Sequence, residues 1–256
     1  MPARELASVK DLTVKFRYNV ALDGITLDLK GNRVLLLGSN GSGKTTLMRV
    51  LSGILRPTEG SVKVLGLDPF KDPSELYSKM LYVRDVEDIP YMMRVSSIID
   101  YLSELYGSEP VKNAVETLGL KDHAFKRVGE LSKGLRRRVA MIEPPLASER
   151  ELILMDEPFS GLDATSRIII ANALNELPKK TGLLIASHIP PLNLGIDQMV
   201  VLEGGKLTYS GSYKQEVARR YLAWMEFDYT KPINPPEYQL RCCQWQTNRL
   251  KEPSLF

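Results

Sequence analysis

A glycine-rich segment between a short apolar run and a helix-like run places the strongest constraint on the fold of this chain. The apolar run covers 34–37, and the helix-like run begins at Thr46. The segment between them consists of Gly38, Ser39, Asn40, Gly41, Ser42, Gly43, Lys44 and Thr45. Glycines let backbone N–H groups close around an anion, and a helix that follows directs the positive end of its dipole at the same anion. The pattern therefore predicts a strand, a phosphate-binding loop and a helix, in that order, within an α/β fold.

The loop also carries the side chains that a nucleoside triphosphate needs. Lys44 would reach the β- and γ-phosphates, and the Thr45 hydroxyl would bind Mg²⁺. Thr46, in the first turn of the predicted helix, is a further candidate contact. These residue types predict a nucleotide site rather than an ordinary glycine turn.

A second apolar run, 152–155, ends in the paired acids Asp156 and Glu157. An open α/β sheet binds ligands at the carboxyl ends of its strands, which is where these acids would lie. Asp156 is suited to the Mg²⁺ shell, while Glu157 is suited to polarise an attacking water. Taken alone, the two acids could simply be a solvated strand end. The phosphate-binding pattern at 38–45 favours a role in hydrolysis instead.

Three further segments resemble motifs of the ATP-binding cassette (ABC) family. They are LSKGLRRRV at 131–139, FSGLD at 159–163 and IASH at 185–188. In this order they are similar to the signature motif, the D-loop and the switch-histidine strand of that family. The resemblance runs from about residue 6 to about residue 211. It implies that the nucleotide is ATP.

The resemblance also implies roles that spacing alone does not give. Two cassettes of this family face each other head to tail, so Ser132 and Gly134 would contact the ATP held by the second cassette. A serine and backbone amides at a helix start form a physically sensible anion contact. His188 would hydrogen-bond the γ-phosphate and the attacking water.

An aromatic residue near the amino end is expected to stack on adenine. Phe16 falls at the usual offset in the family, and Tyr18 is the second candidate. The alternation of Leu12, Val14 and Phe16 also fits a plain strand that faces a core.

The chain departs from the family pattern at several positions. Asp85 replaces the glutamine that follows the strand at 82–83, and Leu135 replaces the glutamine that ends the signature. Asp85 can still bind a hard cation through oxygen and is a third metal candidate beside Thr45 and Asp156, but its charge would also repel Glu157 and the triphosphate.

Two other departures concern the signature and the helix that follows it. Lys133 replaces the first glycine of the signature and would either approach the opposing γ-phosphate or point to solvent. The sequence Glu143-Pro144-Pro145 predicts that the helix after the signature ends or bends near Glu143, because proline cannot continue a helical hydrogen-bond ladder.

Composition excludes several functional classes. The 256 residues are 43% apolar and carry a net charge of +3, which is too mild to indicate a nucleic-acid partner. The run 136–138, three arginines, is typical of a solvated helix face. No apolar run approaches the roughly 18–20 residues that cross a bilayer, and residues 1–10 lack the apolar core of a signal peptide. Cys242 and Cys243 are adjacent, so they offer no disulfide framework.

The apolar runs predict a P-loop NTPase of ABC type. We expect a mostly parallel core sheet, an antiparallel β lobe at the amino end and a helical subdomain at about 86–143, together forming an ABC ATPase domain over 1–212. A terminal helix over 213–224 and an irregular tail over 225–256 follow. Tyr91, Met92 and Met93 lie beside the Asp85 segment and would contact either a partner or the core.

The resemblance therefore predicts the ATPase subunit of a transporter. Its expected partners are a second cassette, like or unlike, and a transmembrane permease, with the chain cytoplasmic and peripheral on the inner face of the cell membrane. Two alternatives stay open. One is a soluble ABC-type ATPase outside transport, and the other is a weakly catalytic cassette that works beside an unlike partner.

Overall fold

A computed structural model of the protein describes residues 4–84, 89–147, 149–191 and 194–220. In chain order its strands are β1 (Glu5–Phe16), β2 (Asn19–Lys30), β3 (Arg33–Leu37), β4 (Glu59–Val64), β5 (Met80–Val83), β6 (Leu152–Asp156), β7 (Gly182–Ser187), β8 (Gln198–Glu203) and β9 (Lys206–Ser212). Its α-helices are α1 (Lys44–Leu51), α2 (Pro73–Lys79), α3 (Val95–Tyr106), α4 (Ser108–Thr117), α5 (Lys133–Ala140), α6 (Glu143–Leu146), α7 (Ala164–Asn175) and α8 (Gln215–Arg219). Two short 3₁₀ turns lie at Lys121–His123 and Val128–Glu130.

The strands form two sheets. A six-stranded sheet has the order β5-β6-β7-β3-β8-β9, in which β9 is antiparallel to β8 and the other neighbours are parallel. A three-stranded sheet has the order β2-β1-β4 and is antiparallel. The expected parallel core sheet and antiparallel β lobe are confirmed.

Alternate residues of the central strand β3 serve two different cores. Leu35 and Leu37 pack with the helical side of the molecule, whereas Val34 and Leu36 pack with α1 and the antiparallel sheet. All four are fully buried, which is why this strand reads as a continuous apolar run and not as an alternating one. The sheet therefore fixes the end of β3, where the glycine-rich loop begins, between two packed layers.

Helices α3 to α6 follow β5 in the chain, where α3 packs on α4, α4 packs on α6, and α4, α5 and α6 contact α7. Helix α5 begins at Lys133, within the signature segment, and ends at Ala140. The two prolines occupy the first turn of the separate short helix α6. The predicted interruption near Glu143 is confirmed, because proline fits the first helical turn, where its missing N–H leaves no bond unmade.

At the carboxyl end, α8 covers part of the predicted terminal helix, and the predicted tail at 225–256 lies outside the described residues. Asp85 also lies outside them. Within the described ranges, no helix combines the length and the apolar character that a membrane span requires.

Candidate nucleotide-binding and hydrolysis site

The glycine-rich loop lies between the end of β3 and the start of α1 and is pressed against neighbouring backbone. Gly43, which precedes α1, has φ 102°, and a Cβ there would lie 2.6 Å from the carbonyl oxygen of Ala21. A Cβ at Gly38 would collide with the Leu202 carbonyl and with Ser42 Oγ. Ser42 Oγ is buried and has no hydrogen-bond partner in the described part of the chain. Close backbone and an unsatisfied hydroxyl fit a loop that binds an anion.

A cavity of about 440 Å³ opens over this loop. Its lining joins the amino-terminal sheet, the loop, the first turn of α1, Glu157 and the β8–β9 turn. The lining residues are Phe16, Asn19, Val20, Ala21, Asn40, Gly41, Gly43, Lys44, Thr45, Thr46, Glu157, Gly204 and Gly205.

The two aromatic candidates differ in their placement. Phe16, the last residue of β1, lines the cavity with 45% of its surface exposed. Tyr18 lies in the turn after β1, is 100% exposed and is absent from the cavity wall. An exposed ring at the wall of the cavity can stack on a planar base, so the geometry favours Phe16 over Tyr18.

Lys44 begins α1 with its side chain folded back over the loop. Nζ donates hydrogen bonds to the carbonyl oxygens of Gly38 at 2.8 Å and Ser39 at 3.0 Å. It also lies 3.3 Å from Glu157 Oε1, and both side chains are largely buried, with 5% and 16% of their surfaces exposed. The ammonium is therefore held between the loop and the acid at the end of β6.

Glu157 is fixed on its other side by the end of β7. Its backbone N–H donates to Ala186 O at 2.8 Å, and its φ of 50° is a left-handed conformation. His188 Nδ1 lies 2.7 Å from Glu157 Oε2, so the ring proton on Nδ1 is donated to the carboxylate. The His188 backbone N–H donates to the same oxygen at 3.3 Å. The parallel pairing of β6 with β7 brings this predicted acid and this predicted histidine together.

The remaining metal candidates lie close to the same edge of the sheet. Asp156, the last residue of β6, is 6% exposed, and Thr45 lines the cavity from the first turn of α1. Among the described residues, no three or more His, Cys, Asp or Glu side chains lie together in a group that could hold a metal ion.

The signature residues Ser132 and Gly134 lie at the start of α5, away from the described lining of the cavity. Ser132 caps the helix, since its Oγ accepts a hydrogen bond from Leu135 N at 3.3 Å. Gly134 lies against α7, where a Cβ would be 2.9 Å from Ser166 Oγ. Neither residue is part of the cavity wall in the described part of the chain.

The three arginines of α5 do not form a solvated face, so that expectation is wrong. Arg137 is 1% exposed. Arg136 donates to Leu131 O at 3.1 Å and places its guanidinium 5.5 Å from the ring centroid of Tyr91. Arg138 donates to Ser166 Oγ at 2.9 Å. Carbonyl and aromatic partners of Arg136 and the hydroxyl partner of Arg138 connect α5 to its neighbours.

Sequence reasoning missed one wall of the cavity. Gly204 and Gly205 form the turn between β8 and β9, and Gly205 N donates to Ser42 O at 3.1 Å. The Gly-Gly pair was a visible hairpin signal. The pair alone does not reveal the strand order. That order places β8 beside β3 and therefore brings this turn beside the glycine-rich loop.

The chain is similar to known proteins over most of its length. The family model described as ABC transporter matches residues 22–160. The ABC transporter ATP-binding protein NatA of Bacillus subtilis (strain 168) is 33% identical over 192 residues, which cover 72% of this chain and 78% of that protein. The energy-coupling factor transporter ATP-binding protein EcfA1 of Clostridium novyi (strain NT) is 31% identical over 210 residues, covering 77% and 74%.

A solved structure agrees with the sequence relatives. The ADP conformation of an ATP-binding cassette from an ABC transporter superposes with a TM-score of 0.67 at 25% identity, covering 87% of this chain and 96% of the other. The loop, the acidic strand end and the family match point to one assignment. The chain therefore belongs to the ABC transporter family, as an ABC-type nucleotide-binding domain that hydrolyses ATP.

Proposed function

We propose that this chain is a transporter ATPase subunit that closes head to tail with a second cassette on ATP and drives a separate membrane permease. The single observation that carries the catalytic part is the position of Glu157, held between Lys44 and His188 at the wall of the cavity. The two relatives described above, which are ATP-binding proteins of transporters, support the transport part. The chain would then act as a peripheral protein on the inner face of the membrane.

Each polar side chain of the site has a distinct part in hydrolysis. Lys44 would turn from Glu157 to the β- and γ-phosphates, which leaves the carboxylate free to take a proton from the attacking water. His188 keeps its Nδ1–H on the carboxylate, and Nε2 would donate to the γ-phosphate when the ring carries a proton on both nitrogens. Phe16, which also lines the cavity, would stack on the adenine.

The site fits Mg²⁺ as well as ATP. Thr45 and Asp156 offer hydroxyl and carboxylate oxygens, the ligands that Mg²⁺ prefers, and phosphate oxygens and water complete such a shell. When bound, the ion would neutralise charge on the phosphates. Asp85, the third candidate, lies outside the described residues and stays a prediction.

Ser132 and Gly134 lie at the start of α5 and are not part of the described cavity wall of their own chain, which supports their action on a second cassette. ATP would then contact two chains in the closed dimer and one chain in the open state. A ligand that binds one state more tightly shifts the equilibrium toward it, so ATP binding favours closure and hydrolysis favours opening.

A groove of about 540 Å³ between the end of β5, α3 and the α5–α6 segment is the proposed contact for the permease. Its wall is mainly apolar and includes Ile89, Met93, Ile98 and Tyr101, with Glu143 as a carboxylate at one side. The neighbouring Met92 is 71% exposed. Exposed apolar side chains around a groove are typical of a protein contact.

The hydrolytic role is tested with the purified chain. We expect Mg²⁺-dependent phosphate release from ATP by the wild type, and an inert Glu157→Gln that becomes a dimer in ATP, measured by size. Binding of ATP without turnover or dimerisation by either form would contradict a complete site and favour the weakly catalytic alternative.

The permease role is tested by purification from membranes. We expect a multi-spanning protein to co-purify with the wild type and to be lost with Tyr101→Glu, while ATP hydrolysis persists. Leu105→Glu is the matched control, because Leu105 lies on the same helix, is 57% exposed and is not part of the groove wall. A purely soluble complex, or one with nucleic acid, would contradict the transport role.

A further inference from the structure

The lysine that replaces the first signature glycine lies across the loop that follows the catalytic acid. Lys133 is the first residue of α5, and its side chain passes over Gly161. A Cβ at Gly161 would lie 2.8 Å from Lys133 Cε and 3.2 Å from Cδ, and would also collide with Nζ. The ammonium makes no hydrogen bond or ion pair with the rest of the described chain. The side chain therefore lies over Gly161 from Cδ to Nζ, while the residue as a whole is exposed to solvent. The approach to the γ-phosphate of a second cassette stays a prediction.

Gly161 belongs to a short loop that is fixed at both ends. Ser160 N donates to Glu157 O at 3.1 Å, and Asp163 caps α7 by accepting from Ser166 N at 2.7 Å. Phe159 and Leu162, on either side, are buried with 5% and 7% exposed. Gly161, with φ 65°, lies at the outer point of this loop, four positions from Glu157.

Two further contacts connect the start of α5 to the first turn of α7. Gly134 packs on Ser166, as described above, and Arg138 donates to the same hydroxyl at 2.9 Å. Those contacts reach Ser166 in α7 and, from Gly134, Asp163 at the end of the loop. Lys133 extends the packing of α5 to Gly161 within the loop.

We propose that Lys133 is a positioning residue that holds the loop after Glu157 against the first turn of α5. The stem occupies the space over Gly161, so the loop and the signature move together. This inference rests on the proposed function, since Glu157 acts on the ATP of its own chain and Ser132 on that of the second cassette. Lys133 thereby links the turnover of one ATP site to the signature contact at the other.

The test compares Lys133→Ala with Lys133→Met in the full chain, with MgATP as substrate. Methionine keeps a stem of similar length without the charge. Lys112→Ala is the control, because Lys112 is an exposed lysine of the same helical region, 63% exposed and 4.0 Å from Glu109. The readouts are kcat, KM and the dissociation constant for ATP without Mg²⁺.

We expect Lys133→Ala to lower kcat on the order of tenfold, since small misplacements of catalytic groups have effects of at least this size. The dissociation constant for ATP should be unchanged, and Lys133→Met should recover most of kcat. Wild-type kcat in Lys133→Ala would overturn the inference. Equal loss in the alanine and methionine variants would also overturn it, because the charge and not the stem would then be required. An inactive wild type would instead contradict the proposed hydrolysis.

Discussion

Glu157, the proposed base for hydrolysis, has an unfavourable backbone conformation. Its φ of 50° places a non-glycine residue in the left-handed region, at a cost of roughly 1–2 kcal/mol. The strand bond to Ala186 and the contacts to Lys44 and His188 hold it there. If Glu157 reacts as proposed, this backbone strain would orient its carboxylate at a cost in stability.

Comparing two variants without the carboxylate isolates this strain. We expect Glu157→Gly to be more stable than Glu157→Ala by about 0.5–1 kcal/mol, because glycine avoids the left-handed cost but loses more chain entropy on folding. Denaturant midpoints of the two variants measure the difference. An alanine variant of equal or greater stability would contradict the assignment of strain.

Phe16 and Tyr18 form a second matched pair at the residue scale. Phe16→Ala should weaken the binding of ATP by about 5- to 150-fold, since loss of stacking costs about 1–3 kcal/mol per base. Tyr18→Ala should leave binding unchanged, because Tyr18 is fully exposed outside the cavity wall. Titration with a fluorescent ATP analogue measures both, and equal losses would contradict the choice of Phe16.

Among the elements, the two helices that meet at Ser166 have caps of unequal geometry. Asp163 accepts from Ser166 N at 2.7 Å, whereas Ser132 accepts from Leu135 N at 3.3 Å. Asp163→Ala should therefore cost about 1–2 kcal/mol of stability and Ser132→Ala about 0.5–1 kcal/mol. Asp163→Asn, which keeps an acceptor oxygen, is the control for Asp163→Ala. Thermal unfolding of the wild type and the three variants ranks their stabilities. A larger loss of stability in Ser132→Ala than in Asp163→Ala would contradict this prediction.

Local sequence predicts the elements because local physics forms them. Apolar runs of four to six residues at the centre of the sheet, such as 152–155, are buried on both faces, so they stand out from their polar surroundings. The paired prolines after Glu143 set the end of a helix by the same local logic. Arg137 was misread because its burial depends on what packs against α5, which no nearby residue indicates.

For the whole molecule, nucleotide binding should appear as increased stability. At a concentration of 100 times its dissociation constant, a ligand that binds only the folded state adds about 2.7 kcal/mol, or about 5–10 °C in Tm for a chain of this size. We expect this rise for the wild type in MgATP and its loss in Lys44→Met. Lys71→Met, at a lysine 80% exposed, is the control and should keep the rise. Differential scanning calorimetry with and without MgATP measures it, and an unchanged rise in Lys44→Met would contradict the phosphate contact.

The global arrangement was predicted from motif order, but its contacts were not. The loop, the acids and the histidine each follow or end a strand, and the carboxyl ends of parallel strands meet at one edge, so their proximity was foreseeable. The wall at Gly204 and Gly205 required the neighbour relation of β3 and β8. The stem of Lys133 over Gly161 required the packing of α5 on α7, which no spacing along the chain encodes.

The contact of Lys44 with Glu157 makes the acid an internal competitor of the nucleotide. Both the carboxylate and the phosphates of ATP attract the same ammonium, which lies 3.3 Å from Glu157 in this state. In the proposed mechanism Lys44 leaves Glu157 when ATP binds, so the affinity for ATP would be lower than the phosphate contacts alone would give. In the same proposed mechanism, Lys44 would return to the carboxylate after the γ-phosphate has left, and this would favour the release of ADP.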